Sequence, residues 1–293
     1  MSIVEKAVEK LKTLQPEPPV SPRIEAGSPH PPAPTIERLR DSARVVDQTT
    51  ETAPPWHVDH MALERMGLLS ADSEANARLT DELRRIKRPL MDNAIGKGGR
   101  VLAHAKRIVV TSAVPGEGKS FTAVNLALSL ARERDFEVLL VDGDIPKFDI
   151  TRVLGLEGRP GLMDVLADEQ RQPAEVIVRT DVPNLMVVPV GMRQSLTAEL
   201  FGSLRMEYVL EEFGGRNLRR LVVFDSSPLL ATSESQTLVS HMGQVVMVVA
   251  ADRTRQQVVN SALQSLNGPQ YVGLMLNMSC LPASENHYDS YYG

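Results

Sequence analysis

Apolar positions along this chain fall into two kinds of pattern. Six short runs rich in β-branched residues, RIVVTSA, FEVLLVD, LMVVPV, LRRLVVFD, QVVMVVA and YVGLMLN, read as buried strands. Segments of helical period separate most of them, beginning with SFTAVNLALSLARER after the first run. Parallel strands need crossovers, and crossovers bring helices onto both faces, so the expected fold class is α/β, with a doubly wound and mainly parallel sheet. The residues before it are patterned differently. Ile3, Val4, Ala7, Val8, Leu11 and Leu14 recur at helical spacing, with Glu5, Lys6, Glu9, Lys10 and Lys12 opposite, which predicts a short amphipathic helix over 1–14. The following QPEPPVSPRIEAGSPHPPAPT removes backbone donors and fixes φ, so 15–56 reads as a Pro-rich, mostly disordered linker. A second helix is expected from about Ser73 to Met91, with Ala77, Leu79, Leu83, Ile86 and Leu90 as its apolar positions. The resulting division is a helix at 1–14, a linker at 15–56, a helical segment at 57–105, the main domain at 106–280, and a Tyr-rich tail at 281–293.

Composition narrows the options. With 293 residues and 42% hydrophobic content, the chain can bury a sizeable core, as expected of a soluble globular protein with extra segments. A formal net charge of -5 argues against a nucleic-acid partner held by a broad basic face. A single cysteine, Cys280, excludes an intramolecular disulfide framework and fits a reducing compartment, so the expected location is cytoplasmic. No run of about 18 apolar residues occurs, so a membrane role would come through a partner.

The chemical signal lies in VVTSAVPGEGKSFTAVNLAL, where Gly116, Gly118, Lys119 and Ser120 form the end of a phosphate-binding loop between a strand and a helix. Glycines let backbone N–H groups close on phosphate oxygens, and the helix that follows adds its positive end. The first glycine of the usual pattern is replaced by Ala113. The expected nucleotide contacts are Pro115, Gly116, Glu117, Gly118, Lys119, Ser120 and Phe121, with Lys119 on the outer phosphates and Ser120 on a metal. Asp142 and Asp144 end one strand and Asp225 another, at the carboxyl edge where doubly wound sheets gather ligands. Together with Ser120 they make a hard oxygen set suited to Mg²⁺, so ATP and Mg²⁺ are the expected cofactors. Three of the five tyrosines, Tyr288, Tyr291 and Tyr292, lie beyond the last apolar run, either docked on a neighbouring surface or as modification sites. Glu82, Arg85 and Arg88 share one face of the second helix, as a solvated stripe or as an interface.

In order and spacing, VVTSAVPGEGKS, LLVDGD and LVVFDSS resemble the Walker A, A′ and B motifs of bacterial tyrosine kinases. The likeness spans roughly Glu82 to Gly293 and is strongest to the autokinases of exosortase-associated exopolysaccharide loci, to which MSIVEKAVEKL and ELRRIKRPL are also similar. It implies a P-loop NTPase fold and a protein-tyrosine autokinase that uses Mg-ATP to modify tail tyrosines of a neighbouring subunit. It assigns catalysis to Lys119, Asp142 and Asp144, metal binding to Ser120, Asp142, Asp144 and Asp225, base contact to Asn277, autophosphorylation to Tyr288, Tyr291 and Tyr292, and ring packing to Glu82, Arg85 and Arg88. The implied partners are further copies of the chain, a membrane chain-length determinant (a polysaccharide co-polymerase) that brings it to the inner membrane, and a tyrosine phosphatase. The family usually carries an arginine shortly after its second A′ aspartate, where this chain has Pro146 and Lys147. Two alternatives stand beside this reading. One is a partitioning or positioning ATPase, whose early-loop lysine is here replaced by Val114 and Pro115; the other is a nucleotide-binding scaffold without kinase activity.

Overall fold

The structure, a computed structural model, describes residues 54–59, 61, 63, 67–68, 74–99, 101–194, 196–214, 219–269 and 271–279. The expected 1–14 helix, nearly all of the linker and the tail tyrosines lie outside these residues.

The six apolar runs become strands β1 (Arg107–Ser112), β2 (Glu137–Gly143), β4 (Leu185–Val188), β5 (Arg220–Ser226), β6 (Gln244–Ala250) and β7 (Tyr271–Asn277). A two-residue strand β3 (Val178–Arg179) gives no periodic signal and pairs antiparallel at the edge. The sheet order is β3-β4-β2-β5-β1-β6-β7, parallel everywhere except at β3. Helices α1 (Glu74–Ala94), α2 (Lys119–Ala131), α3 (Asp149–Val153), α4 (Leu162–Ala167), α5 (Thr197–Phe201), α6 (Leu204–Gly214), α7 (Ser233–Ser240) and α8 (Gln256–Gln264), with short 3-10 helices at Lys97–Gly99 and Pro173–Val176, complete the described elements.

Strands buried on both faces carry near-continuous Val, Ile and Leu, because each face must meet a helix layer. One apolar layer joins Ile108, Val110, Leu140 and Val223 to the inner face of α2 and to Leu83 and Leu90 of α1. The other joins Val109, Leu139, Val222 and Met247 to α4, α6 and α8. In parallel register β2 sets Asp142 beside Asp225 and Gly143 beside Ser226. A Cβ on Gly143 would lie 2.7 Å from the Asp225 carbonyl oxygen, so only glycine permits this approach.

Helix α1 continues through Pro89 to Ala94, three residues past the end its apolar period suggests. Proline costs the helix one hydrogen bond, and the turn beyond it is held from outside. The Gln244 amide donates to the Leu90 carbonyl at 3.0 Å, and Asn93 donates to the Gln244 side-chain oxygen at 2.8 Å. On the inward face Lys87 is only 8% exposed; its ammonium pairs with Glu133 at 2.6 Å and donates to the Ser129 carbonyl at 2.9 Å. Glu82, Arg85 and Arg88 project from the exposed face. Trp56, at the end of the expected linker, is bound to the body: its backbone N–H donates to the Arg179 carbonyl at 2.7 Å and its indole to the Leu154 carbonyl at 2.9 Å.

Because Leu83 is buried and Arg85 is exposed, their truncations should differ sharply. Leu83→Ala should lower unfolding free energy in urea by about 2–5 kcal/mol, and Arg85→Ala by less than about 0.5 kcal/mol.

Candidate active site

The phosphate loop runs from Ala113 to Ser120 between β1 and α2. Gly116 (φ 84) and Gly118 (φ 91) take the left-handed conformation that a side chain would strain. Ala113 is fully buried and is not among the residues of positive φ, so this position tolerates the methyl group that replaces the usual glycine. The loop is braced by a carboxylate within it. Glu117, 2% exposed, accepts from the Val114 backbone N–H at 2.8 Å, from the Ala250 N–H at 3.2 Å and from the Thr254 hydroxyl, which ties the loop to the end of β6. Asn277 braces the other side by donating to the Glu117 carbonyl at 2.9 Å. A Cβ on Gly118 would lie 2.1 Å from that amide nitrogen, so the glycine is also required by close packing. The Phe121 ring packs toward Gly67 and Leu68. Pro115 and Gly116 are exposed at the loop tip.

Two buried carboxylates, Asp225 and Asp144, act on Lys119, and Asp142 stands beside Asp225 on the neighbouring strand. The Lys119 ammonium pairs with Asp144, whose other oxygen accepts from the Ser227 hydroxyl at 2.7 Å. Burial alone would depress the Lys119 pKa, but Asp225 and Asp144 outweigh it and raise it, so the ammonium stays charged. Asp142 is fully buried; its Oδ2 accepts from the Thr151 backbone N–H at 2.8 Å and hydroxyl at 2.6 Å, and its Oδ1 has no well-formed hydrogen bond among the described residues. Burial raises the Asp142 pKa to about 6, against the pull of the Thr151 hydrogen bonds. Asp225 is buried and, among the described residues, neither of its oxygens has a well-formed hydrogen bond; desolvation pushes it up to about 8 although Lys119 and the Ser120 hydroxyl act to lower it.

Unsatisfied buried carboxylate oxygens are costly unless a cation or ordered water meets them. The two oxygens of Asp225 and the Ser120 hydroxyl therefore fit Mg²⁺, which takes oxygen ligands and retains waters, while Oδ1 of Asp142 stands beside that set. Among the described residues no group of three or more His, Cys, Asp or Glu side chains forms a metal cage by itself. The fit thus needs Ser120 and phosphate oxygens as well. Asp144, engaged by Lys119 and Ser227, belongs to the cationic part of the site.

Of the residues expected from sequence, the fold gathers the loop, Asp142, Asp144, Asp225 and Asn277 at one sheet edge, and sets Glu82, Arg85 and Arg88 apart on α1. It adds Thr151, Ser227 and Arg193. Ser227 stands two places after Asp225, and Thr151 lies in the helix that follows DGD, so both had a local signal. Arg193 had none: it reaches from the loop after β4 and donates to the Pro146 carbonyl at 2.7 Å, bringing a guanidinium to the edge where Pro146 and Lys147 stand.

An aspartate whose folded pKa lies near 8, against about 3.9 unfolded, keeps a proton that the unfolded chain has lost, so folding stability falls as pH rises through that window. Asp142 acts in the same direction up to about 6. The melting temperature in chelator-treated buffer should decline from about pH 6 to 8, and Asp225→Asn should flatten the decline and raise the pH 8 value by roughly 2–4 °C. The same substitution should abolish the thermal shift produced by Mg-ATP, as read by calorimetry.

Residues 105–266 match the AAA domain family. The tyrosine-protein kinase YwqD of Bacillus subtilis is 30% identical over 190 residues, covering 64% of this chain and 78% of that protein. The putative tyrosine-protein kinase EpsB of Ralstonia nicotianae is 33% identical over 159 residues, covering 54% of this chain but 21% of EpsB, so the chain spans about a fifth of that longer relative. The crystal structure of the VpsO kinase domain superposes with a TM-score of 0.52 at 26% identity, covering 66% of this chain and 98% of the other. The chain therefore belongs to the AAA domain family of P-loop proteins and, through its match to YwqD, to the bacterial tyrosine-protein kinases.

Proposed function

We propose that this chain is an ATP-dependent protein-tyrosine autokinase. It transfers the γ-phosphoryl group of Mg-ATP to Tyr288, Tyr291 and Tyr292 of a neighbouring copy and thereby regulates exopolysaccharide polymerisation or export. The observation that carries the reading is the meeting, at one sheet edge, of a glycine cradle and its lysine with Asp142, a buried carboxylate that has one free oxygen and a pKa near 6. A base poised near working pH accepts a proton without being protonated beforehand.

In this mechanism the loop N–H groups and Lys119 hold and neutralise the outer phosphates, and phosphoryl transfer asks for little beyond such positioning and charge balance. Mg²⁺ would be held by Ser120 and Asp225 and would supply positive charge against the negative charge of the phosphates. The tyrosine phenol oxygen attacks the γ-phosphorus, the bond to the bridging oxygen of ADP breaks, and the phenol proton passes to Asp142 Oδ1. Thr151 holds Asp142 in line for this, while Ser227 and Lys119 fix Asp144. Each phosphotyrosine adds about -1.5 to -2 charges, so a modified segment is repelled by the acidic edge and leaves it.

Copies assemble through the exposed Glu82, Arg85 and Arg88 face of α1. No described helix is long and apolar enough to cross a membrane. In the proposed setting a chain-length-determining membrane protein recruits the kinase to the cytoplasmic side of the inner membrane, and a phosphatase reverses the modification. Val114 and Pro115, at the place of the early-loop lysine of partitioning ATPases, favour the kinase over that alternative.

Purified protein incubated with Mg-ATP should show phosphate on Tyr288, Tyr291 and Tyr292 by mass spectrometry, and Lys119→Ala should reduce it at least about 100-fold, on the order of a lost charge-assisted phosphate contact. Absence of phosphotyrosine, even with a membrane activator added, would leave the scaffold reading. Arg85→Glu with Arg88→Glu should shift the light-scattering mass toward the monomer; an unchanged mass counts against the α1 interface.

A further inference from the structure

Beside the carboxylate edge, a cavity of about 210 Å³ opens between the loop after β2 and the loop after β4, lined by Phe148, Thr151, Glu157, Arg159, Val190 and Arg193, among others. Its inner wall is Thr151, whose hydroxyl donates to Asp142 at 2.6 Å and accepts from the Val190 N–H at 2.9 Å, so the cavity adjoins the proposed proton acceptor. Its mouth is cationic. The Arg193 guanidinium lies 4.7 Å from the centre of the Phe148 ring and donates one N–H to Pro146, while Arg159 lies 4.5 Å from the Trp56 ring. Both arginines are exposed, and stacking on a ring fixes a guanidinium without using up its donors. Glu157 on the rim opposes them, and Arg152, 5.9 Å from the same Phe148 ring, is neutralised by Asp149, which leaves the mouth positive by one charge. Phe148 itself has φ 41, a left-handed conformation that is costly for an aromatic residue and that clusters at functional sites.

The sequence beyond the last strand has the complementary chemistry. After Arg255 the chain contains no lysine or arginine, and ENHYDSYYG sets Asp289 directly after Tyr288, whereas Tyr291 and Tyr292 have no acidic neighbour. We propose that this cavity is an acceptor-specificity site in which Arg193 and Arg159 bind the carboxylate next to the target tyrosine, so that the enzyme selects a tyrosine–acid pair and Tyr288 of a second copy is modified first. The proposal rests on the kinase reading and adds the sequence class of its substrate. Arg193 acts here on the substrate itself as well as through the Pro146 carbonyl, and the two roles separate kinetically.

The test uses the full chain with Tyr288, Tyr291 and Tyr292 changed to Phe, so that only added peptide reports. Peptides SENHYDSYYG and its Asp289→Lys form are phosphorylated with labelled ATP. The acidic peptide should have a KM roughly 10-fold lower, in the range of a lost charge-assisted contact. Arg193→Gln and Arg159→Gln should each raise its KM and shrink the difference between the peptides, with Arg193→Lys restoring part of it. Equal discrimination by the variants and the parent, or an Arg193→Gln loss confined to kcat, would overturn the site. If the parent labels neither peptide, the kinase reading fails. Fluorescence anisotropy of the two peptides with Mg-ADP present then decides the site alone: equal affinities reject it, and tighter binding of the acidic peptide that Arg193→Gln removes supports it.

Discussion

A single buried ammonium held between the buried carboxylates Asp144 and Asp225, with Asp142 alongside, is the interaction on which the rest depends. Lys119 is charged and paired with Asp144, yet Asp142 and Asp225 stand nearby with three oxygens unsatisfied between them. No apolar core keeps such groups for stability, because each ionised carboxylate there is desolvated. The fold bears the cost by setting them at the ends of β1, β2 and β5, strands buried along all but their first residue, where side chains have no room to relax. What costs the folded protein stability also presets charge beside the phosphate loop, and preset charges need no reorganisation when a ligand arrives.

The same constraint explains the glycines and the buried glutamate. Gly143 lets β2 close onto β5 so that Asp142 and Asp225 align, and Gly118 lets Asn277 reach the loop. Glu117 looks out of place in a phosphate cradle, but its carboxylate faces away and collects N–H and O–H donors from the loop's own shoulder and from β6. Through Glu117 and Asn277 the loop is joined to β6 and β7, so the chain leaves its last described strand beside the site. Residues 277–279 therefore emerge next to Gly118, and Met278 lies 3.7 Å from where a Cβ would stand there.

Much of this was legible in the chain. Continuous β-branched runs, helical spacing and the glycine-lysine motif depend only on neighbouring residues, and they marked six strands, the phosphate loop, and aspartates at strand ends. Ala113 in place of glycine is harmless because its φ is ordinary, a property that spacing cannot reveal. β3 has two residues and no period, so it was invisible, as was the binding of Trp56 to it. The extension of α1 past Pro89 depends on Gln244, 154 residues beyond Leu90 in the chain, whose amide rescues a turn that local propensity would end.

Local pattern thus settled the elements, their order and the class of chemistry, because hydrophobic period and glycine-lysine spacing act over a few residues at a time. The fold alone decided which aspartate stayed half free, which was taken by lysine and serine, and which arginine came to the edge that Pro146 occupies. Those outcomes turn on strand register, burial and loop approach between distant segments, where desolvation and hydrogen-bond geometry over a few ångströms set each side chain's charge and partner.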